Sequence, residues 1–258
     1  MVQLLRDSSS QINDDRPLYR WNIAAVNLFF RHRNSIFPVV FSVAVFVMRP
    51  KVLLNQVTDS MLVACGTVVA VMGEGVRWVT IGHQYIERGG KEGKVYASRL
   101  VRGGMYGVMR NPMYVGNILI AVGMTMTAGS PGIYLIILPS FLFIYQALVC
   151  TEEAYLRQRF GGEYEAYCAE VPRFIPALRH VGHAVSGTEY DWRRALRQDL
   201  STLVALMFGL TWIPLWRTFF LEGALIAKKT LPGALGVSFC ILAFYGYVIR
   251  LKKQARLE

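Results

Sequence analysis

Six long apolar runs constrain this chain more than any other feature: Ser35 to Leu54, Ser60 to Gly82, Tyr114 to Ala128, Ile133 to Cys150, Ser201 to Phe219 and Leu231 to Ile249. Inside a bilayer every backbone N–H and C=O must find its partner within the protein, so runs of this length and composition are read as spanning helices. The predicted fold class is all-α, a polytopic membrane helix bundle of about six transmembrane helices with a pocket on its cytoplasmic side. Composition agrees, because 53% of the 258 residues are hydrophobic and only 17% are charged. A soluble domain of that size rarely carries so little charge.

The net charge of +11 sits in the loops. Residues 83 to 112 hold Arg88, Lys91, Lys94, Arg99, Arg102 and Arg110, and residues 151 to 200 hold seven arginines. The intervening loops hold far fewer basic residues, so both termini are predicted to be cytoplasmic. Basic loops beside apolar spans suit anionic lipid head groups as partners, and nucleic acid is not expected. Residues 19 to 30 read as an interfacial amphipathic helix. The domain reading is 1–34 as a polar N-terminus with that helix, 35–176 as a membrane core, and 177–258 as a basic linker with two further spans. The four cysteines, Cys65, Cys150, Cys168 and Cys240, read as buried small hydrophobes. His180 and His183 have only a loose metal spacing, and no metal is expected.

Polar residues that interrupt this apolar pattern mark where chemistry can sit. Arg110-Asn111-Pro112-Met113-Tyr114-Val115-Gly116 opens the third span, with Pro112 at its first turn. Just before it, Leu100-Val101-Arg102-Gly103-Gly104-Met105-Tyr106-Gly107 offers glycines that let the backbone turn tightly. Gly129-Ser130-Pro131-Gly132 makes spans three and four a hairpin. Glu152-Glu153 ends the fourth span, where two adjacent carboxylates at a bilayer edge call for a cation. Val171-Pro172-Arg173-Phe174-Ile175-Pro176 then reads as a rigid extended segment able to close over a pocket. Glu163, Glu165 and Glu170 read as a solvated face. Within the second span Glu74 and Arg77 stand three residues apart and form a candidate self-neutralising pair.

This ordered set resembles the integral-membrane methyltransferases that include isoprenylcysteine carboxyl methyltransferase and phosphatidylethanolamine N-methyltransferase. The residues that carry the resemblance are Leu100, Val101, Gly104, Tyr106, Arg110, Asn111, Pro112, Tyr114 and Gly116, then Glu152-Glu153, Phe160-Gly161, Tyr164, Tyr167 and Val171-Pro172. The resemblance implies S-adenosylmethionine as cofactor, held without a dinucleotide-binding domain. It places Ser98, Arg99, Leu100, Val101, Gly104, Tyr106, Asn111, Pro112, Met113, Tyr114, Glu152 and Glu153 around that cofactor. Tyr106, Arg110, Asn111 and Tyr114 become the candidate catalytic residues. The implied acceptor is a membrane lipid or a lipidated small molecule. The chain has Asn111 where the carboxyl-methylating enzymes usually have histidine, and no arginine in 146–149 where they carry one. Phospholipid N-methylation, an NADPH-dependent reductase of sterol-reductase type and a non-enzymatic membrane scaffold stand as alternatives.

Overall fold

The computed structural model describes residues 39–52, 55–84, 99–177, 179, 181–182 and 189–254. The interfacial helix expected at 19–30, Ser98, and the His180 and His183 pair lie outside these residues. What is described is helical: α1 (39–47), α2 (Gln56–His83), α3 (Pro112–Ala128), α4 (Ile133–Phe160), α5 (Gly162–Glu170), α6 (Trp192–Leu221) and α7 (Ala224–Gln254). Helices α2, α4, α6 and α7 are each long and apolar enough to cross a bilayer, and α3 is a shorter apolar helix of 17 residues. The chain is a multi-pass membrane protein. The first predicted span is described as a helix only over 39–47.

Helix limits follow from local chemistry. Asn55 caps α2 by accepting from the Thr58 N–H at 2.8 Å, and Asp191 caps α6 by accepting from the Arg194 N–H at 2.9 Å. At the hairpin between α3 and α4, Gly129 adopts φ +59°, the left-handed conformation that ends a helix most readily at glycine. The hairpin expected from Gly129-Ser130-Pro131-Gly132 is present. α4 begins with a π-helical turn, Ile133–Ile137, and runs past the predicted end at Cys150 to Phe160.

Helices α2 and α3 pack antiparallel at close range. Gly66 of α2 meets Gly123 of α3, and seven residues along each helix Gly73 meets Gly116. A Cβ built on Gly66 or Gly73 would lie 2.7 Å from the facing glycine's carbonyl oxygen. Small residues of this kind let two backbones touch, which drives association where the hydrophobic effect is absent. The core then spreads through Ala44 and Val45 of α1, Ala70 of α2, Met124 of α3, Ile133 of α4, and Leu206 and Ile213 of α6.

Two buried ion pairs join α6 to α2. Arg77 of α2 donates from Nε to Asp199 Oδ2 at 3.0 Å and from Nη2 to Asp199 Oδ1. At the other end Arg217 of α6 donates from Nη2 to Asp59 of α2, and from Nη1 to the Ala128 carbonyl at 3.0 Å. The spacing is the same on both helices: 77 − 59 = 18 and 217 − 199 = 18. Eighteen residues are five turns of about 3.6 residues, so the two charges of each helix share a face. The expected pairing of Arg77 within its own helix is therefore secondary. Glu74 Oε2 stands 3.7 Å from Arg77 Nε, while Glu74 Oε1 accepts from Trp78 Nε1 at 2.9 Å.

The cysteine expectation is corrected. All four are free thiols, but Cys65, Cys150 and Cys240 are exposed on helix surfaces and Cys168 is half-buried. Cys65 and Cys240 lie on the surfaces of apolar helices, and Cys150 accepts from Arg173 Nη2 at 3.2 Å.

Candidate active site

The loop before α3 is shaped by Gly104, whose φ of +58° turns the chain into a single 3₁₀ turn, Gly104–Gly107. That turn presents Tyr106, whose carbonyl accepts the Tyr167 hydroxyl of α5 at 2.7 Å. Pro112, fully buried, sets the first turn of α3. Asn111 occupies the capping position but makes no side-chain cap bond. Its amide points across the site instead. Nδ2 donates to Glu153 Oε1 at 3.1 Å and to the Arg173 carbonyl at 3.3 Å.

Glu153 is the centre of this arrangement. Only 8% exposed, it faces Arg173 twice, Nε to Oε1 at 3.1 Å and Nη2 to Oε2 at 3.1 Å, and Arg110 Nη2 lies 3.8 Å away. A buried carboxylate is tolerable when cations and amide donors satisfy it, and here both do. Burial lowers the pKa of Arg173 but its hydrogen bond to Cys150 and the Glu153 carboxylate more than offset that, and the group is held above the ordinary arginine value. The segment carrying Arg173 is the proline-bracketed one. It is pinned beside the loop by two backbone bonds, Arg110 N–H to Pro172 at 2.9 Å and Ala177 N–H to Val108 at 3.0 Å.

The adjacent carboxylates thus differ. Glu153 is buried among the cations and the amide donor named above, and Glu152 is half-buried; both line the large cavity of the molecule. That cavity has a volume of about 1370 Å³. Ten of the residues named from the sequence line it: Arg99, Leu100, Val101 and Tyr106 from the loop, Arg110 and Asn111 before α3, Met113 and Tyr114 on α3, and Glu152 and Glu153 on α4. Gly104 and Pro112 are not on its wall and act through the backbone. Arg102 is engaged by α5, with Nη2 3.2 Å from Glu163 Oε1. Arg110 faces Glu153. A purely cationic phosphate pocket from these two arginines is therefore absent among the described residues.

Tyr164 and Tyr167 also line the cavity, and each is buried in the cluster with Val171. Burial first, with the Glu153 carboxylate adding to it, pushes both hydroxyls above the usual tyrosine value of 10.0. Both stay neutral donors through the physiological range. A tyrosine raised in the folded state contributes stability that is complete below pH about 10 and is lost as pH rises through the folded value. The melting temperature should therefore fall above pH about 10, and Tyr167→Phe should lessen that fall while costing about 1 kcal/mol at neutral pH. Thermal melts across the alkaline range measure both.

Sequence reasoning missed Arg173 as a partner of Glu153, and it missed Asn117, Tyr145 and Thr202 on the cavity wall. The available signal was simple: Asn117 and Thr202 are polar residues inside apolar spans.

Residues 61–163 match the family model described as phospholipid methyltransferase. This part of the chain resembles the membrane methyltransferases. One relative, the protein-S-isoprenylcysteine O-methyltransferase of Schizosaccharomyces pombe, is 38% identical over 82 residues, 31% of this chain and 34% of that protein. The nickel-cobalt-cadmium resistance protein NccN of Alcaligenes xylosoxydans xylosoxydans is 28% identical over 57% of this chain and 66% of its own length. The cobalt-zinc-cadmium resistance protein CzcN of Cupriavidus metallidurans is 32% identical over 31% and 36%. The chain thus spans about a third of the length of two of these relatives and just under two thirds of the other. No solved structure matches. The methyltransferase-like segment contains α3, Glu152 and Glu153, and ends at Glu163, so Arg173 and all of α6 and α7 lie beyond it.

Proposed function

We propose that the chain is an S-adenosylmethionine-dependent methyltransferase that acts on a lipid-like or prenylcysteine-like acceptor held in the membrane. The observation that carries this reading is the continuity of one cavity. It runs from the polar ring of Arg110, Asn111, Glu152 and Glu153 to an apolar interior lined by Phe141, Leu206 and Ile213. Ordinary small-molecule sites occupy about 300–1,000 Å³, so a cavity of about 1370 Å³ has room for a cofactor and an acceptor together.

The residues at the polar end fit the cofactor's chemistry. Glu152 offers a carboxylate for an ammonium group, Arg110 offers donors for a carboxylate, Asn111 offers its Oδ1 as an acceptor, and Leu100, Val101 and Met113 offer apolar surface for a base. When bound, S-adenosylmethionine supplies a methyl group on a positively charged sulfur. The chain's own work is to exclude water and to hold the nucleophile in line. Tyr106 and Tyr114 position groups from the two sides of the α3 entry, and Tyr114 is braced edge-on against Tyr145 with ring centroids 5.4 Å apart. A basic cytoplasmic face would draw the anionic head groups of the same leaflet toward this entrance.

Isothermal titration of the detergent-solubilised protein with S-adenosylhomocysteine tests the reading. Saturable micromolar binding is expected, weakened about tenfold or more in Glu152→Gln through loss of a charge-assisted contact, with an unchanged melting temperature. No binding to the wild-type protein, or equal binding to the variant, would sink the assignment. A parallel titration with NADPH keeps the reductase alternative in view.

A further inference from the structure

Below the polar ring the cavity wall becomes polar a second time. Asn117 lies six residues along α3 from Asn111, about 9 Å, and Tyr145 lies eight residues along α4 from Glu153, about 12 Å. At this depth Arg77, Asn117, Tyr145 and Thr202 all face the cavity. They form one connected network. Arg77 donates from Nη1 to Asn117 Oδ1 and from Nη2 to Thr202 Oγ1 at 2.9 Å, and Asn117 Nδ2 donates to the Tyr145 hydroxyl at 3.0 Å. Behind it Asp199, fully buried, holds the guanidinium.

The charge of the layer is cancelled. Asp199 neutralises Arg77, and the Glu74 carboxylate lies 3.7 Å from the same guanidinium. An anion entering here would meet no net positive charge, so phosphate or carboxylate recognition is disfavoured. Donor capacity remains, however. A hydroxyl that accepts a bond still has its own proton to give, and an amide NH₂ carries two hydrogens. Thr202 and Asn117 each offer one such hydrogen beyond the bonds named above.

We propose that Arg77, Asn117, Tyr145 and Thr202 form a specificity layer that receives an uncharged, oxygen-bearing linkage of the acceptor, an ester or amide carbonyl. The acceptor's apolar chain continues past it toward Phe141, Trp212 and Trp216. This deepens the methyltransferase reading and rests on it for the word acceptor. It also gives α6, which lies beyond the methyltransferase-like segment, a share of the site through Thr202 and Asp199.

Trp212 and Trp216 line the apolar depth and supply the readout. Tryptophan fluorescence of the solubilised full chain is titrated with dibromostearoyl glycerol, an uncharged ester, and with dibromostearate, a carboxylate, since bromine quenches indole on contact. The wild-type protein should bind the ester about tenfold more tightly, the worth of one or two neutral hydrogen bonds. Asn117→Leu with Thr202→Val should bring the two ligands within about twofold of each other and leave S-adenosylhomocysteine affinity unchanged. Thr202→Ser, which retains the hydroxyl, should keep the preference. If the double variant does not fold, Thr202→Val alone should still reduce the preference. Equal or tighter binding of the carboxylate by the wild-type protein overturns the proposal, as does a preference that survives loss of both side chains. Absence of S-adenosylhomocysteine binding beside an intact ester preference would overturn the methyl-donor reading while supporting the layer.

Discussion

Asp199→Ala should destabilise the protein by about 3–5 kcal/mol, the cost of leaving one member of a buried ion pair without its partner. Membrane and soluble domains alike have only about 5–15 kcal/mol in hand, so the variant should melt far below the wild type and lose ligand binding at moderate temperature. The reason lies in the placement of Arg77. It is 5% exposed, in a spanning helix, and it donates two hydrogen bonds to Asp199. Removing both partners is a different perturbation. Arg77→Met with Asp199→Leu replaces the pair by apolar groups and should recover most of the melting temperature. The recovered protein should nevertheless have lost the ester preference, because Arg77 holds Asn117 and Thr202 in place. A double variant no more stable than Asp199→Ala would show that the pair does more than neutralise itself.

Glu153→Ala should have the other large effect, divided between folding and ligand. Arg110 and Arg173 would face each other across the site without a counter-charge, and Asn111 would lose its acceptor. Arg173 is about a third exposed, and solvent will screen its share, so the expected loss is nearer 2 kcal/mol than 5. The effect on S-adenosylhomocysteine should be larger, a loss of about thirtyfold or more, because both Asn111 and Arg110 would be released from their present positions. Glu153→Gln should fall between the wild type and Glu153→Ala, since it keeps an acceptor for Asn111 and loses the charge. Melting curves and titrations on the same preparations separate the two contributions. Full affinity in Glu153→Ala would remove Glu153 from the site.

Much of the fold was legible because spanning helices announce themselves by length and apolar content, and five of the six runs are helices here, although α4 runs on to Phe160 and α6 and α7 begin at Trp192 and Ala224, well before the apolar runs do. The site was legible for a related reason: Asn111, Glu152 and Glu153 are polar residues placed where a bilayer makes polarity costly. What stayed hidden were relations between distant segments. Asp199 stands just outside the apolar run Ser201 to Phe219 and reads as a loop residue, though it is the most buried acid described. The heptad spacing of Gly66 with Gly73, and of Gly116 with Gly123, was present in the sequence but carried no direction until two helices met. Arg173 was read as part of a rigid strap, and nothing local says that a side chain from that strap reaches back to Glu153.

The matched spacing of the two ion pairs bears on how the protein is made. Each of α2 and α6 brings one acid and one base, in the order acid then base along both helices. Side by side in the same direction they would set Asp59 against Asp199 and Arg77 against Arg217, so only opposed directions satisfy them. During synthesis, however, α2 emerges long before its partner. Asp199 follows Arg77 by 122 residues, which at about 5–20 residues per second is a delay of about 6–25 s. Throughout that interval α2 must keep Asp59 without its mate and Arg77 with only the Glu74 carboxylate of its own helix nearby, either at the wet mouth of the insertion machinery or at the lipid interface. α6, arriving late, thereby completes the seating of α2.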